Sequence, residues 1–167
     1  MQKRRAVPPL TAGDGRLRSR HTPLLAGVAA AVIAVDQLTK TWALHHVADR
    51  PIHIIWTLRL YLTFNSGAAF SVGQGITPFL VPVAIAVVVM MVFMTRRRQP
   101  TAAVMLAMGL VLGGALGNLA DRLFRHNGGS VIDFVDLQWW PVFNVADSSI
   151  VIGGILLLIV GRRVWGD

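Results

Sequence analysis

The sequence predicts a mainly α-helical membrane protein that crosses the bilayer four times. Its 167 residues are 54% apolar and only 14% charged, a composition typical of a one-domain membrane protein. Eleven of its sixteen Lys and Arg residues fall within residues 3–20, 96–98 and 162–163, and each group borders an apolar run. Basic residues in such places mark the cytosolic ends of membrane spans. This grouping accounts for the net charge of +8 and argues against nucleic-acid binding.

The first membrane span is predicted at residues 23–45, after a polar, basic and disordered cytosolic tail over residues 1–22. The apolar run is longer than the core of a signal peptide, which is the alternative interpretation, so we expect a retained helix. Asp36 and Lys40 lie four residues apart in it and therefore share one helix face. An intrahelical ion pair is their favoured role, and direct chemistry by Asp36 is the alternative.

The connection after this span contains β-branched and aromatic residues in rough alternation over residues 52–64, which predicts extended strands at the membrane surface. Asn65 and the small residues that begin at Gly67 then give a turn signal. Small residues let a backbone approach a ligand closely, although most such triplets are only turns.

The second and third spans are predicted at residues 78–94 and 101–119. Glycines recur every four residues along the third span, at Gly109, Gly113 and Gly117, and predict close helix packing rather than a ligand site. Asp121 and Arg122 follow this span. We expect them to form an ion pair at the membrane boundary, which favours a structural role for Asp121 over the alternative, a catalytic role.

The fourth span is predicted at residues 142–160, so that the domain covers residues 23–163 and residues 164–167 are a cytosolic C-terminus. With four spans, both termini face the cytosol and the connections over residues 46–77 and 120–141 face outward. Asp133 and Asp147 then lie on the extracytoplasmic side, where the third and fourth spans meet.

Two carboxylates in apolar surroundings can hydrolyse a peptide by sharing one proton, because like charges in contact cannot both ionise. Asp133 and Asp147 lie among Val, Ile, Phe and Ala, where an unpaired charge is costly. Asn144 and Asn65 are candidates to hydrogen-bond this pair or the substrate backbone. The structural alternatives are that Asp147 only caps a helix begun at Asn144, and that Asp133 only pairs with Arg122 or Arg125.

The sequence gives little support for catalysis by a cysteine thiol or by a metal ion. The chain has no Cys, and His126 has no second His or acidic partner at metal-ligand spacing. Two further functions stay open from the residues alone. The buried charges suit a small proton-conducting protein or transporter, and the glycine stripe suits a non-catalytic assembly factor.

Five stretches in order resemble the motif set of the bacterial lipoprotein signal peptidases, also called type II signal peptidases. The resemblance covers about residues 24–163, and its motifs are Asp36-Gln-Leu-Thr-Lys40, Asn65-Ser-Gly-Ala-Ala-Phe70, Gly114-Ala-Leu-Gly-Asn118-Leu-Ala-Asp121-Arg122, Val131-Ile-Asp133-Phe134 and Phe143-Asn-Val-Ala-Asp147. It implies a four-helix transmembrane bundle with a small extracytoplasmic β-cradle, in the bacterial inner membrane. The activity implied is that of an aspartic endopeptidase without metal or cofactor, which cleaves prolipoproteins before a diacylglyceryl-modified Cys.

By motif match, the resemblance implies that Asp133 and Asp147 are catalytic. It places five residues around the site, in contact with substrate or in support of the pair: Asn65, Gly67, Asn118, Arg122 and Asn144. It makes Asp36 and Lys40 a supporting polar pair. The partners expected are lipid-modified prolipoproteins and membrane lipid, and we expect a monomer.

Overall fold

The computed structural model describes residues 21–66 and 101–165. The basic tail, the second predicted span and Gly67 lie outside the described residues. Over the described ranges, helices and strands follow in the order α1 (Thr22–His46), β1 (Ile52–Ile55), β2 (Leu58–Asn65), α2 (Ala102–Phe124), β3 (Val131–Asp136) and α3 (Val145–Trp165).

The three helices correspond to the first, third and fourth predicted spans. By length and composition, α1 with 25 residues and α2 with 23 residues are apolar enough to cross a membrane, and residues 145–160 form a shorter apolar helix. The third span was predicted to end at residue 119, but α2 continues to Phe124. Asn118, Asp121 and Arg122 therefore lie on the last turns of a helix, which fixes the direction of each side chain.

Glycines let α2 pack closely against both of its neighbours. A Cβ atom at Gly113 would lie 2.8 Å from the backbone oxygen of Ala29 on α1, so no larger residue fits there. On another face of α2, Gly114 meets the backbone oxygen of Ala146 at the start of α3. The prediction that the glycine stripe serves close helix packing is confirmed.

The strands form one antiparallel sheet in the order β1-β2-β3. Strands within residues 52–64 were predicted, and they are confirmed as a hairpin whose turn exposes Trp56 almost completely, at 95%. The pattern of residues did not predict β3. Nearly all of this strand is buried, so its sequence lacks the apolar and polar alternation of a half-exposed strand.

The segment after β3 folds back on it and so carries α3 to the sheet. Phe143 forms an isolated antiparallel bridge with Val135, and its backbone oxygen accepts hydrogen bonds from the backbone N–H groups of Phe134 and Val135. This pairing brings Asn144 and the first turn of α3 beside Asp133. The fold thus gathers two carboxylates that are fourteen positions apart in the printed sequence.

Candidate active site

Asp133 and Asp147 are linked through one residue, Asn144. The side-chain N–H of Asn144 donates to Asp133 Oδ1 at 2.7 Å, and its backbone N–H donates to Asp147 Oδ2 at 3.1 Å. In return, Asn144 Oδ1 accepts from the backbone N–H of Asp147 at 2.9 Å. This reciprocal pair of bonds is a helix cap, so the capping role considered for Asp147 is real. It uses one carboxylate oxygen of Asp147 and leaves the other for the site.

Two further asparagines donate to the outer oxygens of the pair. Asn65 Nδ2 donates to Asp133 Oδ2 at 3.1 Å, and Asn118 Nδ2 donates to Asp147 Oδ1 at 2.8 Å. Asn65 lies diagonally across the sheet from Asp133, because Thr63 pairs with Asp133 and Asn65 with Val131. The oxygens of both aspartates therefore face amide donors from three different parts of the chain.

The surroundings of Asp133 raise its pKa to about 7. Burial is the largest cause, since the residue is 1% exposed, and the negative charge of Asp147 is the next. Hydrogen bonds from Asn65 and Asn144 and the charge of Lys40 act in the opposite direction. A carboxyl group with this pKa can hold or release a proton near neutral pH, as an acid and base pair requires.

Beneath the pair lies a cluster of charges with no exposure to solvent. Lys40 Nζ lies 2.8 Å from Asp36 Oδ2 and 2.8 Å from Asp121 Oδ2, and all three side chains are 0% exposed. The predicted ion pair between Asp36 and Lys40 is confirmed. Lys40 also donates to Asn118 Oδ1 at 3.0 Å, and Asp36 Oδ1 accepts from the backbone N–H of Ala146 at 2.9 Å. The cluster thus joins α1, α2 and the first turn of α3.

Asp121 has a different partner from the one that the sequence predicted. Its ion pairs are with Lys40 and with Arg125, whose Nε lies 3.1 Å from Asp121 Oδ1, whereas Arg122 was expected. Consecutive helical residues point about 100° apart, while residues four apart share a face. The predicted partner of Asp121 was wrong, and its structural role stays a prediction. Arg125 is thereby engaged with Asp121, and Asp133 accepts from asparagines instead.

The charge of Arg122 interacts with both aspartates of the pair as well as with Asp121. Its Nη1 donates to the backbone oxygen of Asn118 at 3.3 Å. Within the described residues, its buried Nε has no hydrogen-bond partner. A guanidinium placed in this way can donate a hydrogen bond from Nε to a carbonyl or carboxylate oxygen of a bound ligand.

Sequence reasoning missed the part played by Gln37. Its Nε2 donates to Asp36 Oδ2, to Asp121 Oδ1 and to the backbone oxygen of Gly117, at 3.2, 2.9 and 3.1 Å. No spacing rule predicts the bonds to Gly117 and Asp121, which lie 80 and 84 positions away in the sequence. Among the described residues, no group of three or more His, Cys, Asp or Glu side chains is arranged to hold a metal ion.

Comparison with known proteins gives one consistent family. The family model described as signal peptidase (SPase) II matches residues 28–161. A lipoprotein signal peptidase of Rhodococcus jostii is 50% identical over 143 residues, covering 82% of this chain and 71% of the relative. That of Mycobacterium avium is 47% identical, covering 89% of each chain. A solved bacterial membrane enzyme at 29% identity matches with a TM-score of 0.75, covering 85% of this chain and 89% of that one.

Proposed function

This chain belongs to the signal peptidase II family, and we propose that Asp133 and Asp147 perform its peptide hydrolysis. The protein is a membrane aspartic peptidase that removes signal peptides from prolipoproteins. The observation that carries the residue assignment is the bridge through Asn144, which holds a buried Asp133 next to Asp147. Neither helix capping nor ion pairing explains a buried carboxyl group on β3 with a pKa of about 7.

The proposed mechanism needs one protonated and one ionised carboxyl group. Asp133 holds the shared proton at rest, since its pKa is near neutral, and Asp147 is the base. The base takes a proton from water, which attacks the scissile carbonyl carbon, while Asp133 protonates the carbonyl oxygen. When the tetrahedral gem-diol intermediate collapses, the C–N bond breaks, the acid then formed on Asp147 protonates the leaving amine, and Asp133 takes back a proton from a hydroxyl group of the diol. The free enzyme is restored once the pair again shares one proton.

The amide and guanidinium groups around the pair orient the substrate and the acids. Asn118 donates a hydrogen bond to Asp147 and Asn144 donates one to Asp133, and these bonds hold the two carboxyl groups in place. Asn65 and Arg122 border the pair on the sheet and on α2, and we assign them to the substrate backbone as well. Gly67 lies outside the described residues, and its assignment to a close backbone contact with substrate is carried over from the sequence.

The substrate that suits this site is a prolipoprotein with a diacylglyceryl-modified Cys, cleaved on the N-terminal side of that residue. Large apolar side chains stay exposed on the helices, among them Leu38 at 70% and Leu158 at 71%. Such faces fit hydrocarbon rather than water. Acyl chains can therefore remain in the bilayer while the scissile bond enters the polar site at the ends of α2 and α3.

For the whole chain we propose four spans, with the second at residues 78–94, and both termini in the cytosol. The basic groups at residues 3–20, 96–98 and 162–163 support this orientation by the positive-inside rule. The domain then covers residues 23–163, between a cytosolic tail and a cytosolic C-terminus at residues 164–167. The sheet becomes an extracytoplasmic β-cradle in the bacterial inner membrane, and the enzyme acts as a monomer.

Cleavage of a diacylglyceryl-modified lipobox peptide by the purified full chain tests this proposal. With EDTA present, we expect the wild type to release the signal peptide and Asp133→Asn and Asp147→Asn to lose at least about 1000-fold in kcat, as expected when an acid or base group is removed. Asp136→Asn is the matched control, because Asp136 is also buried on β3 but pairs with Arg59. A variant of either proposed catalytic residue with normal turnover would remove that residue from the mechanism.

A further inference from the structure

The buried cluster under the aspartate pair contains more carboxylates than Lys40 can neutralise. Asp36 and Asp121 each lie 2.8 Å from the one Lys40 ammonium group, and none of the three is exposed. A buried charge without a partner of opposite sign is strongly destabilising. A second cation is therefore needed, and Arg125 provides it through its Nε, 3.1 Å from Asp121 Oδ1.

Arg125 is held in this position by α1. Its Nη2 donates to the backbone oxygen and to Oε1 of Gln37, both at 3.0 Å, and to Thr41 Oγ1 at 2.9 Å. The residue follows directly after the end of α2, and its guanidinium reaches across to a different helix. Because four acceptors surround it, the guanidinium has a defined orientation rather than that of a mobile surface charge.

Asp121, which Arg125 neutralises, supports both proposed catalytic residues. Its Oδ2 accepts from the backbone N–H of Ile132 at 3.1 Å, and Ile132 immediately precedes Asp133 on β3. The same oxygen binds Lys40, which donates to Asn118. Asn118 in turn donates to Asp147 at 2.8 Å. One route therefore leads from Asp121 to Asp133 through the strand, and a second leads to Asp147 through Lys40 and Asn118.

We propose that Arg125 is a positioning residue, which balances Asp121 so that Lys40 stays on Asn118 and the two catalytic aspartates keep their separation. This inference rests on the proposed function of Asp133 and Asp147. Without the guanidinium, two buried carboxylates compete for one ammonium group and draw it away from the neutral Asn118. The amide oxygen of Asn118 then loses Lys40, one of its two donors, and keeps only Asn144, so the bond from Asn118 to Asp147 is held less firmly.

The test compares Arg125→Gln and Arg125→Lys with the wild type in the lipopeptide cleavage assay. Because Arg125 acts on the geometry of the pair, we expect Arg125→Gln to lower kcat about 10- to 100-fold, the range for supporting groups and small misplacements. KM should stay within about twofold, since substrate binding is not its role. Arg125→Lys keeps the charge and should recover kcat to within about fivefold of wild type.

Arg59→Gln is the matched control, because Arg59 also forms a partly buried ion pair, with Asp136 at 2.6 Å, but this pair does not reach Lys40. We expect it to keep wild-type kcat. An Arg125→Gln protein that folds and turns over like Arg59→Gln would overturn the inference. If Arg125→Gln does not fold, Arg125→Lys decides: a kcat within about fivefold of wild type with unchanged KM supports the charge-balancing role, and a loss as large as that expected of Arg125→Gln contradicts it. Activity in Asp133→Asn or Asp147→Asn would instead refute the proposed function itself.

Discussion

Asn65 sets the pH at which the proposed acid loses its proton, and replacing it gives a quantitative prediction. Its Nδ2 donates to Asp133 Oδ2 at 3.1 Å and favours the ionised form of that carboxyl group. In Asn65→Ala this bond is lost, so the pKa of Asp133 rises further above its value of about 7. A hydrogen bond to a charged group contributes roughly 1.5–3 kcal/mol, which corresponds to about 1–2 pKa units. Asn65 is only half-buried, so water replaces part of the bond and we expect about one unit.

The assay is the pH dependence of kcat/KM, which reports the acid and base groups of the free enzyme. In the wild type, kcat/KM should fall as pH rises through about 7, because Asp133 then loses the proton that the mechanism needs. In Asn65→Ala the fall should occur about one pH unit higher, whatever the variant loses in overall rate. Thr63→Val is the control, since Thr63 lies opposite Asp133 in the sheet register and should leave the profile unchanged. A basic limb that stays in place or moves to lower pH in Asn65→Ala would refute the reasoning.

Three further predictions follow from burial and packing. The folded protein binds the Asp133 proton more tightly than the unfolded chain does, so the free energy of unfolding falls by about 4 kcal/mol as pH rises from about 4 through about 7. The melting temperature of Asp133→Asn in detergent should therefore exceed that of wild type by more at pH 8 than at pH 4. An equal difference at both pH values would contradict this. Gly114→Ala should lower the free energy of unfolding by about 1–3 kcal/mol and reduce kcat, because its Cβ would meet the backbone oxygen of Ala146 in the first turn of α3. Gly154→Ala, where a Cβ meets nothing within 4 Å, is its control and should leave unfolding and turnover unchanged. Trp56 is 95% exposed in the hairpin turn and should insert among lipid headgroups. Brominated lipid should therefore quench the fluorescence of a variant that retains Trp56 as its single Trp. Quenching no stronger than that of free tryptophan in water would contradict insertion.

Much of the helical framework could be predicted, because each membrane span is a continuous apolar run in the sequence. The predicted runs at residues 23–45 and 101–119 match α1 and α2 apart from their ends, and the glycine stripe on α2 has the predicted packing role. The ion pair between Asp36 and Lys40 could also be predicted, because side chains four residues apart on a helix lie on one face. The same four-residue spacing brings Arg125 to the face of Asp121, whereas the adjacent Arg122 points in another direction.

What the sequence could not supply depends on contacts between distant segments. The strand β3 is buried on both faces, so it has no alternating pattern, and its pairing with β2 follows from the fold as a whole. Asn144 can contact both aspartates because Phe143 pairs with Val135, and no local sequence spacing predicts this pairing. For Asp147, helix capping does not exclude a place in the site, because one carboxylate oxygen accepts from the cap residue Asn144 and the other accepts from Asn118.

The most direct test of the account is a pH titration of the Asp133 carboxyl group, by infrared spectroscopy, in the wild type and in Asp147→Asn. The band that is lost in Asp133→Asn identifies this group. Burial and the charge of Asp147 together raise its pKa to about 7 in the wild type. Asp147→Asn removes the second cause, so the account predicts a lower midpoint in this variant. The same midpoint in both proteins would contradict the claim that these two carboxyl groups form one proton-sharing pair.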